Sequence, residues 1–421
     1  MRSLRCFSMR PRIPFGTLLT VTAMLLGCRP ADRPAASPPA IARDDAPAST
    51  PDPTSTPVAN HVTDPIADPA LLERCRHAAA YSRTHDGDGV LVLRDGGVVF
   101  ADFRSPTTAD TPHLLASGTK SFAGVAAVLA VSDGLLQFDE LVSDTIVEWK
   151  TDPAKSSITI RQLLSLASGL ESLSAAIDSA QSARAAGITD RAKASIDASL
   201  RAAPGERFLY GPSSFYVFGE LMQRKLSAAK TGDSDVVAYL QRRVFNPLNI
   251  APVFMRDPAG NANLPGGCRI GAQDWAIFGE LIRNRGSHDG VQLLDATLLD
   301  EMLAAHGPNP RYGLTWWILS ANERNAEDEI EAEMVADRLL QQGGPIRERV
   351  ARRLRERAAA EQSDAPKDAA TGPRLGVMAA GKGKQRLYIL PDERMTVVRF
   401  GALNGLKGFE DREFLRRLLG E

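Results

Sequence analysis

The sequence has little histidine and cysteine, and no excess of the positive charge that draws nucleic acid. Its six histidines show no metal spacing such as His-Glu-x-x-His, so no metal is expected. A formal net charge of −1 gives no electrostatic case for a nucleic-acid partner. No Gly-x-Ser-x-Gly turn occurs, which removes the strand-to-helix elbow of a Ser-His-Asp hydrolase. Beyond the first residues, no run is long and apolar enough for a membrane helix. The stretch 376 to 382 nearly matches a phosphate-binding loop. However, Gly383 stands where a metal-binding hydroxyl is needed, and an extended segment follows. No cofactor is implied.

What is present begins with Arg2, Arg5, Arg10 and Arg12, followed by an apolar run from 13 to 26. That is the order of an export signal, and the run is short for a bilayer span. It ends in Leu25-Leu26-Gly27-Cys28, which resembles the cleavage box of bacterial lipoproteins, where the cysteine becomes the lipidated first residue. Residues 1–27 are therefore expected to be a lipoprotein signal peptide. Cys28 would then hold the protein to the periplasmic side of a membrane in the bacterial envelope; ordinary signal cleavage is the alternative. Residues 28–68 are mostly Pro, Ala, Ser, Thr and Asp, too poor in large apolar side chains to offset the entropy of ordering, and read as a tether. Asp68-Pro69 marks its end as a helix cap. Of four cysteines, two remain in the folded part, Cys75 and Cys268. Export permits a disulfide between them, and the sequence does not show that they meet.

From 90 to 103, two extended apolar runs flank Asp95-Gly96-Gly97, a hairpin signal. Phe122, Val125, Ala126 and Leu129 then follow at helical spacing until Asp133-Gly134. The region from about 135 to 265 is read as a helical subdomain. A helix around Trp275, Phe278 and Ile282 comes next, then strand-like runs at 312–319, 387–390 and 395–400, and a final amphipathic helix with Phe409, Phe414 and Leu418. A charged insert at about 322–370 separates two of these strands. Its first half is acidic from Glu327 to Glu333. Its second half carries Arg347, Arg349, Arg352, Arg353, Arg355 and Arg357 beside Ile346, Val350 and Leu354, which predicts a helical hairpin with opposed charges.

Chemistry is concentrated at Ser117-Gly118-Thr119-Lys120. Residues three apart on a helix share a face, so Lys120 is placed beside the hydroxyl it would activate. A helix N-terminus adds a free N–H and a partial positive charge for a developing oxyanion. The same Ser-x-x-Lys spacing recurs at Ser227 and Lys230, in the polar tail of a helix. Context selects Ser117, which opens an apolar helix.

These residues, together with Gly134-Leu135-Leu136-Gln137-Phe138-Asp139-Glu140-Leu141-Val142, the stretch 158–170 (ITIRQLLSLASGL) and Pro204-Gly205-Glu206-Arg207-Phe208-Leu209-Tyr210, resemble the serine β-lactamase and penicillin-binding-protein superfamily. The resemblance is strongest to the branch of class C β-lactamases and related esterases. It implies an α+β, β-lactamase/transpeptidase-like fold over 69–421: an antiparallel sheet flanked by helices, with an inserted all-helical subdomain. It implies Ser117 as nucleophile, Lys120 and Tyr210 as proton handlers, and the backbone N–H groups of Ser117 and Lys382 as the oxyanion hole. Gly381 and Lys382 would meet substrate. Strand alternation puts the Lys382 side chain on the same side as Ala380, which leaves two roles open to it, a pocket-rim cation or a plain surface lysine.

Two departures stand out. The family's Tyr-x-Asn ends here in Pro212, which has no side-chain amide. Its Lys/His-Thr/Ser-Gly motif aligns with Ala379-Ala380-Gly381, where only the glycine survives. Two readings remain open. One is a serine hydrolase that forms an acyl-enzyme on a small-molecule or peptide-like ester or amide. The other is a catalytically weak binding or scaffold protein of the same fold. Oligomeric state is not implied.

Cys28→Ser is expected to release the protein from membranes, because no acyl chain would then hold the tether. Fractionation with and without globomycin checks this. A soluble, unacylated mature protein with Cys28 intact would overturn the lipoprotein reading.

Overall fold

The computed structural model describes residues 68–177, 179–320, 336, 339, 343–363, 374–405 and 408–420. Residues 1–67, where a signal peptide, a lipidated Cys28 and a tether are expected, and the acidic half of the insert lie outside the described residues. The chain divides into the units Met1–Asn60 and His61–Glu421, and the described helices and strands all belong to the second.

Six helices matter for the site: α1 Pro69–Thr84, α2 Lys120–Ser132, α3 Ser213–Ala228, α4 Ala272–Arg283, α5 Pro345–Ser363 and α6 Asp411–Leu419. Helix α1 starts where the Asp-Pro pair predicts, with the Asp68 carboxylate accepting the Ala70 N–H at 3.0 Å and proline at the first helical position. The main sheet contains β1 Gly87–Arg94, β2 Gly97–Phe103, β3 Trp317–Ser320, β4 Arg374–Gly381, β5 Gln385–Leu390 and β6 Met395–Gly401. Its order is β2-β1-β6-β5-β4-β3, antiparallel at every step. Asp95 (φ 53°) and Gly96 (φ 82°) make the first hairpin, the left-handed pair that an Asp-Gly turn favours.

Strands β5 and β6 are buried along their whole length, because helices cover both faces. Leu387 and Ile389 lie against Gly279 of α4, where a Cβ would meet them at 2.8 and 3.0 Å. Arg386 bonds Asp411, and Tyr388 stacks on Phe414, both on α6. Alternate strand residues point to opposite faces, so α4 and α6 cover opposite sides of the sheet.

Two expectations change. The region 135–265 is helical or turn-like except for Val253–Phe254. That strand pairs with Cys268–Ile270, which also pairs with His113–Leu114, in a separate three-stranded sheet. Backbone entering the Ser117 turn needs partners for its N–H and C=O groups, and this small sheet supplies them. The run 312–319 is extended only from Trp317. Thr315 has φ 79°, and the chain doubles back so that the Gly313 N–H reaches Trp316 O at 2.9 Å. A β-branched residue in that region is strained, and an apolar pattern gives no sign of the reversal. The disulfide question left open by the sequence is answered in the negative: Cys75 and Cys268 are both free and buried. Burial pushes the Cys75 thiol up to about 11 against the pull of Arg74 and Arg76.

The basic half of the insert forms α5, but its apolar row does not pack away: Ile346 is 76% and Val350 43% exposed. Strands β3 and β4 pair at Ser320↔Arg374, so the two ends of the insert lie side by side. Replacing residues 324–361 with a short Gly-Ser link should therefore leave a folded domain. Thermal unfolding checks this, and loss of cooperativity would make the insert part of the core.

Candidate active site

Ser117 lies in a tight turn, Ala116–Thr119, that runs directly into α2, so it sits just outside the α-helix that its spacing predicts. Ala116 before it has φ 46°. A non-glycine residue adopts that left-handed conformation at a cost of roughly 1–2 kcal/mol. Neighbouring bonds hold it there. Thr119 Oγ1 donates to Ala116 O at 2.7 Å and accepts the Cys268 N–H at 3.1 Å, and the Leu115 N–H donates to Cys268 O at 2.9 Å. Every residue of α2 from Lys120 to Ala130 is buried. Phe122 packs among Phe245, Phe254 and Phe278 at ring distances of 5.5, 5.6 and 4.6 Å. A helix that is apolar all round belongs inside.

Lys120 is the exception on that helix, a cation only 4% exposed. Its Nζ donates to Ser117 Oγ at 3.1 Å and to Pro265 O at 2.7 Å. It also lies 4.8 Å from the centre of the Tyr210 ring and 5.3 Å from that of Phe215. A buried ammonium is tolerated only with such partners, and aromatic faces supplement the oxygens. The structure thus brings Ser117, Lys120 and Tyr210 together. Ser227 and Lys230 are exposed at the far end of α3.

Tyr210 is held by the 158–170 segment. The Arg201, Gly205 and Leu209 N–H groups donate to Gly169 O, Ala167 O and Leu166 O at 2.7, 2.7 and 2.8 Å. Gly211 follows against Ser172, where a Cβ would come within 2.4 Å of Oγ. Ser213 Oγ then donates to Glu171 O at 2.6 Å. Arg161 ties the two family-like segments together, gripping Asp139 through Nε and Nη2 at 2.6 and 2.8 Å and Glu301 at 2.6 Å. The Arg161 hydrogen bond holds the Asp139 carboxyl below its ordinary range. Pro212 stands immediately before α3 and offers no amide to Lys120.

Gly381 ends β4 against the nucleophile turn. A Cβ there would lie 2.0 Å from Leu115 O and 2.9 Å from the Gly118 nitrogen, so only glycine fits. Ala379 and Ala380 are buried, and the Lys382 side chain is exposed at the end of the strand. Among the described residues, neither the Ser117 nor the Lys382 N–H donates a hydrogen bond. No three His, Cys, Asp or Glu side chains there could hold a metal ion.

A family model for beta-lactamase matches residues 70–417. The chain belongs to the beta-lactamase family, whose members are serine hydrolases. Curated relatives include Protein flp of Staphylococcus aureus (strain COL), 27% identical over 147 residues, which are 32% of this chain and 29% of that protein. The match therefore spans under a third of that relative's length. Solved structures share the fold. The octameric penicillin-binding protein homologue from Pyrococcus abyssi has TM-score 0.55 and 17% identity, over 83% of this chain and 77% of that one. EstCE1, a hydrolase with promiscuous acyltransferase activity, has TM-score 0.56 and 16% identity over 84% and 98%. A D-stereospecific amidohydrolase from Streptomyces sp. has TM-score 0.52 and 15% identity over 81% and 97%.

Sequence reasoning missed Pro265, whose contribution is a carbonyl that carries no side-chain signal, and Phe215, whose ring reads as ordinary helix core. Lys120→Met keeps the bulk and removes the ammonium. It should slow fluorophosphonate labelling of Ser117 on the order of 10²–10⁴-fold while the circular dichroism spectrum is kept. Labelling at the wild-type rate would remove Lys120 from the machinery.

Proposed function

We propose that the protein is an envelope serine hydrolase, anchored through lipidated Cys28, that cleaves simple carboxylic esters through an acyl-enzyme. The observation that carries this reading is the buried Lys120 Nζ, 3.1 Å from Ser117 Oγ and 4.8 Å from the Tyr210 ring centre. Ser117 Oγ forms a bond to the substrate carbonyl carbon and loses its proton to Tyr210, with Lys120 stabilising the phenolate. The carbonyl π pair moves onto oxygen, and the Ser117 and Lys382 N–H groups receive that charge. Collapse breaks the C–O bond to the alcohol, which takes the proton back. Water then repeats the sequence on the acyl-enzyme, releasing a carboxylic acid and restoring the Ser117 hydroxyl. The fold neighbours include an amidohydrolase and a hydrolase with promiscuous acyltransferase activity, chemistries compatible with this route.

The preference for esters over β-lactams rests on Pro212, Ala379 and Ala380. These positions lack the amide, cation and hydroxyl that the family directs at the acylamino and carboxylate groups of penicillins. A charge-assisted contact is worth roughly 1.5–3 kcal/mol, so losing two or three lowers selectivity for such substrates by several powers of ten. An ester needs only the nucleophile, the proton acceptor and two backbone donors. The test measures turnover of p-nitrophenyl butyrate and nitrocefin by the wild type, Ser117→Ala and Ser227→Ala. Ester turnover should vanish in Ser117→Ala and persist in Ser227→Ala. Nitrocefin turnover at rates typical of resistance enzymes would overturn the substrate assignment. Absence of all turnover with an unlabelled Ser117 would favour the binding-protein reading.

A further inference from the structure

Behind the β4–β5 turn that carries Lys382 lie two guanidiniums with no part in the route above. Arg386 is 0% and Arg399 1% exposed. Arg386 places Nε and Nη2 on Asp411 at 2.7 and 3.0 Å, and its Nη1 reaches Gln385 O at 3.0 Å and Gly381 O at 3.4 Å. Arg399 donates through Nη1 to Lys384 O at 2.7 Å and Gly383 O at 3.3 Å, and through Nη2 to His85 O at 2.7 Å. Its Nε donates to Ser82 Oγ at 3.0 Å, and its guanidinium lies 3.9 Å from the Phe409 ring centre. The Gln385 amide closes the arrangement, donating to Gly401 O at 2.5 Å and accepting the Gly401 N–H at 3.1 Å. The packing leaves no slack, since a Cβ on Gly401 would lie 2.2 Å from Gly383 O and 2.4 Å from Arg399 Nη1.

A hairpin turn does not need this. Water ordinarily satisfies the carbonyls of a surface turn at little cost, whereas burying guanidiniums carries a desolvation penalty, and apolar replacements of buried ion pairs are often as stable. That penalty is visible at Arg399, whose pKa burial lowers to about 10. What the two arginines add is direction. A trans peptide points its N–H opposite its C=O. Placing Gly381 O on the Arg386 side, at 3.4 Å from Nη1, therefore turns the Lys382 N–H to the opposite side of that peptide. Gly381 itself abuts Leu115 and Gly118 of the Ser117 turn.

We propose that Arg386 and Arg399 are positioning residues that lock the Gly381-Lys382 peptide with its N–H aimed at the oxyanion, an inference that rests on the Ser117 reading above. Through Asp411, helix α6 becomes part of the catalytic support although it touches no substrate. Oxyanion donors act by being preorganised, so small misplacement is expected to reach kcat before KM.

The test uses Arg399→Lys, which keeps a cation but cannot span the carbonyls of Lys384, Gly383 and His85. Ser82→Ala is the milder companion, removing only the Nε acceptor. Each is made in the wild type and in Lys382→Pro, which deletes the N–H itself and suits the extended backbone at Gly381. Hydrolysis of p-nitrophenyl butyrate is normalised to Ser117 titrated by fluorophosphonate, and thermal midpoints are recorded beside it. Arg399→Lys should lower kcat about 10- to 100-fold with KM nearly unchanged, and Ser82→Ala about threefold. Neither should lower it further in Lys382→Pro, because two changes acting through one donor do not add. A lower thermal midpoint with kcat per titrated site unchanged in both variants would overturn the proposal. So would a full additional loss in the Lys382→Pro background. A wild type that fluorophosphonate does not label would instead bring down the underlying Ser117 reading.

Discussion

An ammonium inside an apolar helix sets the terms for the rest of this structure. Lys120 opens a buried helix built mostly of Ala, Val, Phe and Leu, and its charge needs a replacement for water. The replacement comes from three separate parts of the chain: Ser117 Oγ in the preceding turn, Pro265 O in the loop before the strand Cys268–Ile270, and the rings of Tyr210 and Phe215. Satisfying one buried cation thus fixes the positions of Ser117, of the tyrosine loop and of the segment entering Cys268–Ile270. Stability and chemistry rest on the same contacts.

The two sides of the site meet through backbone. Gly381 touches the Leu115–Gly118 turn so closely that any side chain would collide, and this contact brings β4 to the serine. The tyrosine side is held by backbone bonds from 201–209 onto 166–169 and by the lack of a side chain at Gly211. The 158–170 segment is therefore a brace for Tyr210. Its Arg161 end is clamped to Asp139 and Glu301, which joins it to the segment that follows α2.

Where the family usually places substrate-directed polar groups, this chain has Pro212, Ala379 and Ala380, the two alanines buried at 2% and 4% exposure. Under the proposed route the donors that remain are the backbone N–H groups of Ser117 and Lys382. On that reading the site depends on how rigidly its backbone is held, which is the role proposed for the buried Arg386 and Arg399 behind the turn.

Much of this was legible in the sequence where the signal is local. The Asp68-Pro69 cap, the Asp95-Gly96 turn, the helical spacing after Ser117 and the spacing of Lys120 from Ser117 each depend on a few consecutive residues, and each has its counterpart in the fold. The resemblance of 158–170 and 204–210 to a known family extended that reading to Tyr210. Partnerships between distant backbone atoms were not legible. Pro265 O, the reversal at Thr315 and the grip of Arg399 on Gly383 and Lys384 leave no pattern in composition or period, because a carbonyl is the same at every residue. The sequence by itself determined which side chains this protein has for its chemistry and which helix carries two of them. Tertiary structure alone decided which carbonyls, N–H groups and rings surround them, since those contacts form only when segments far apart in the chain pack against one another.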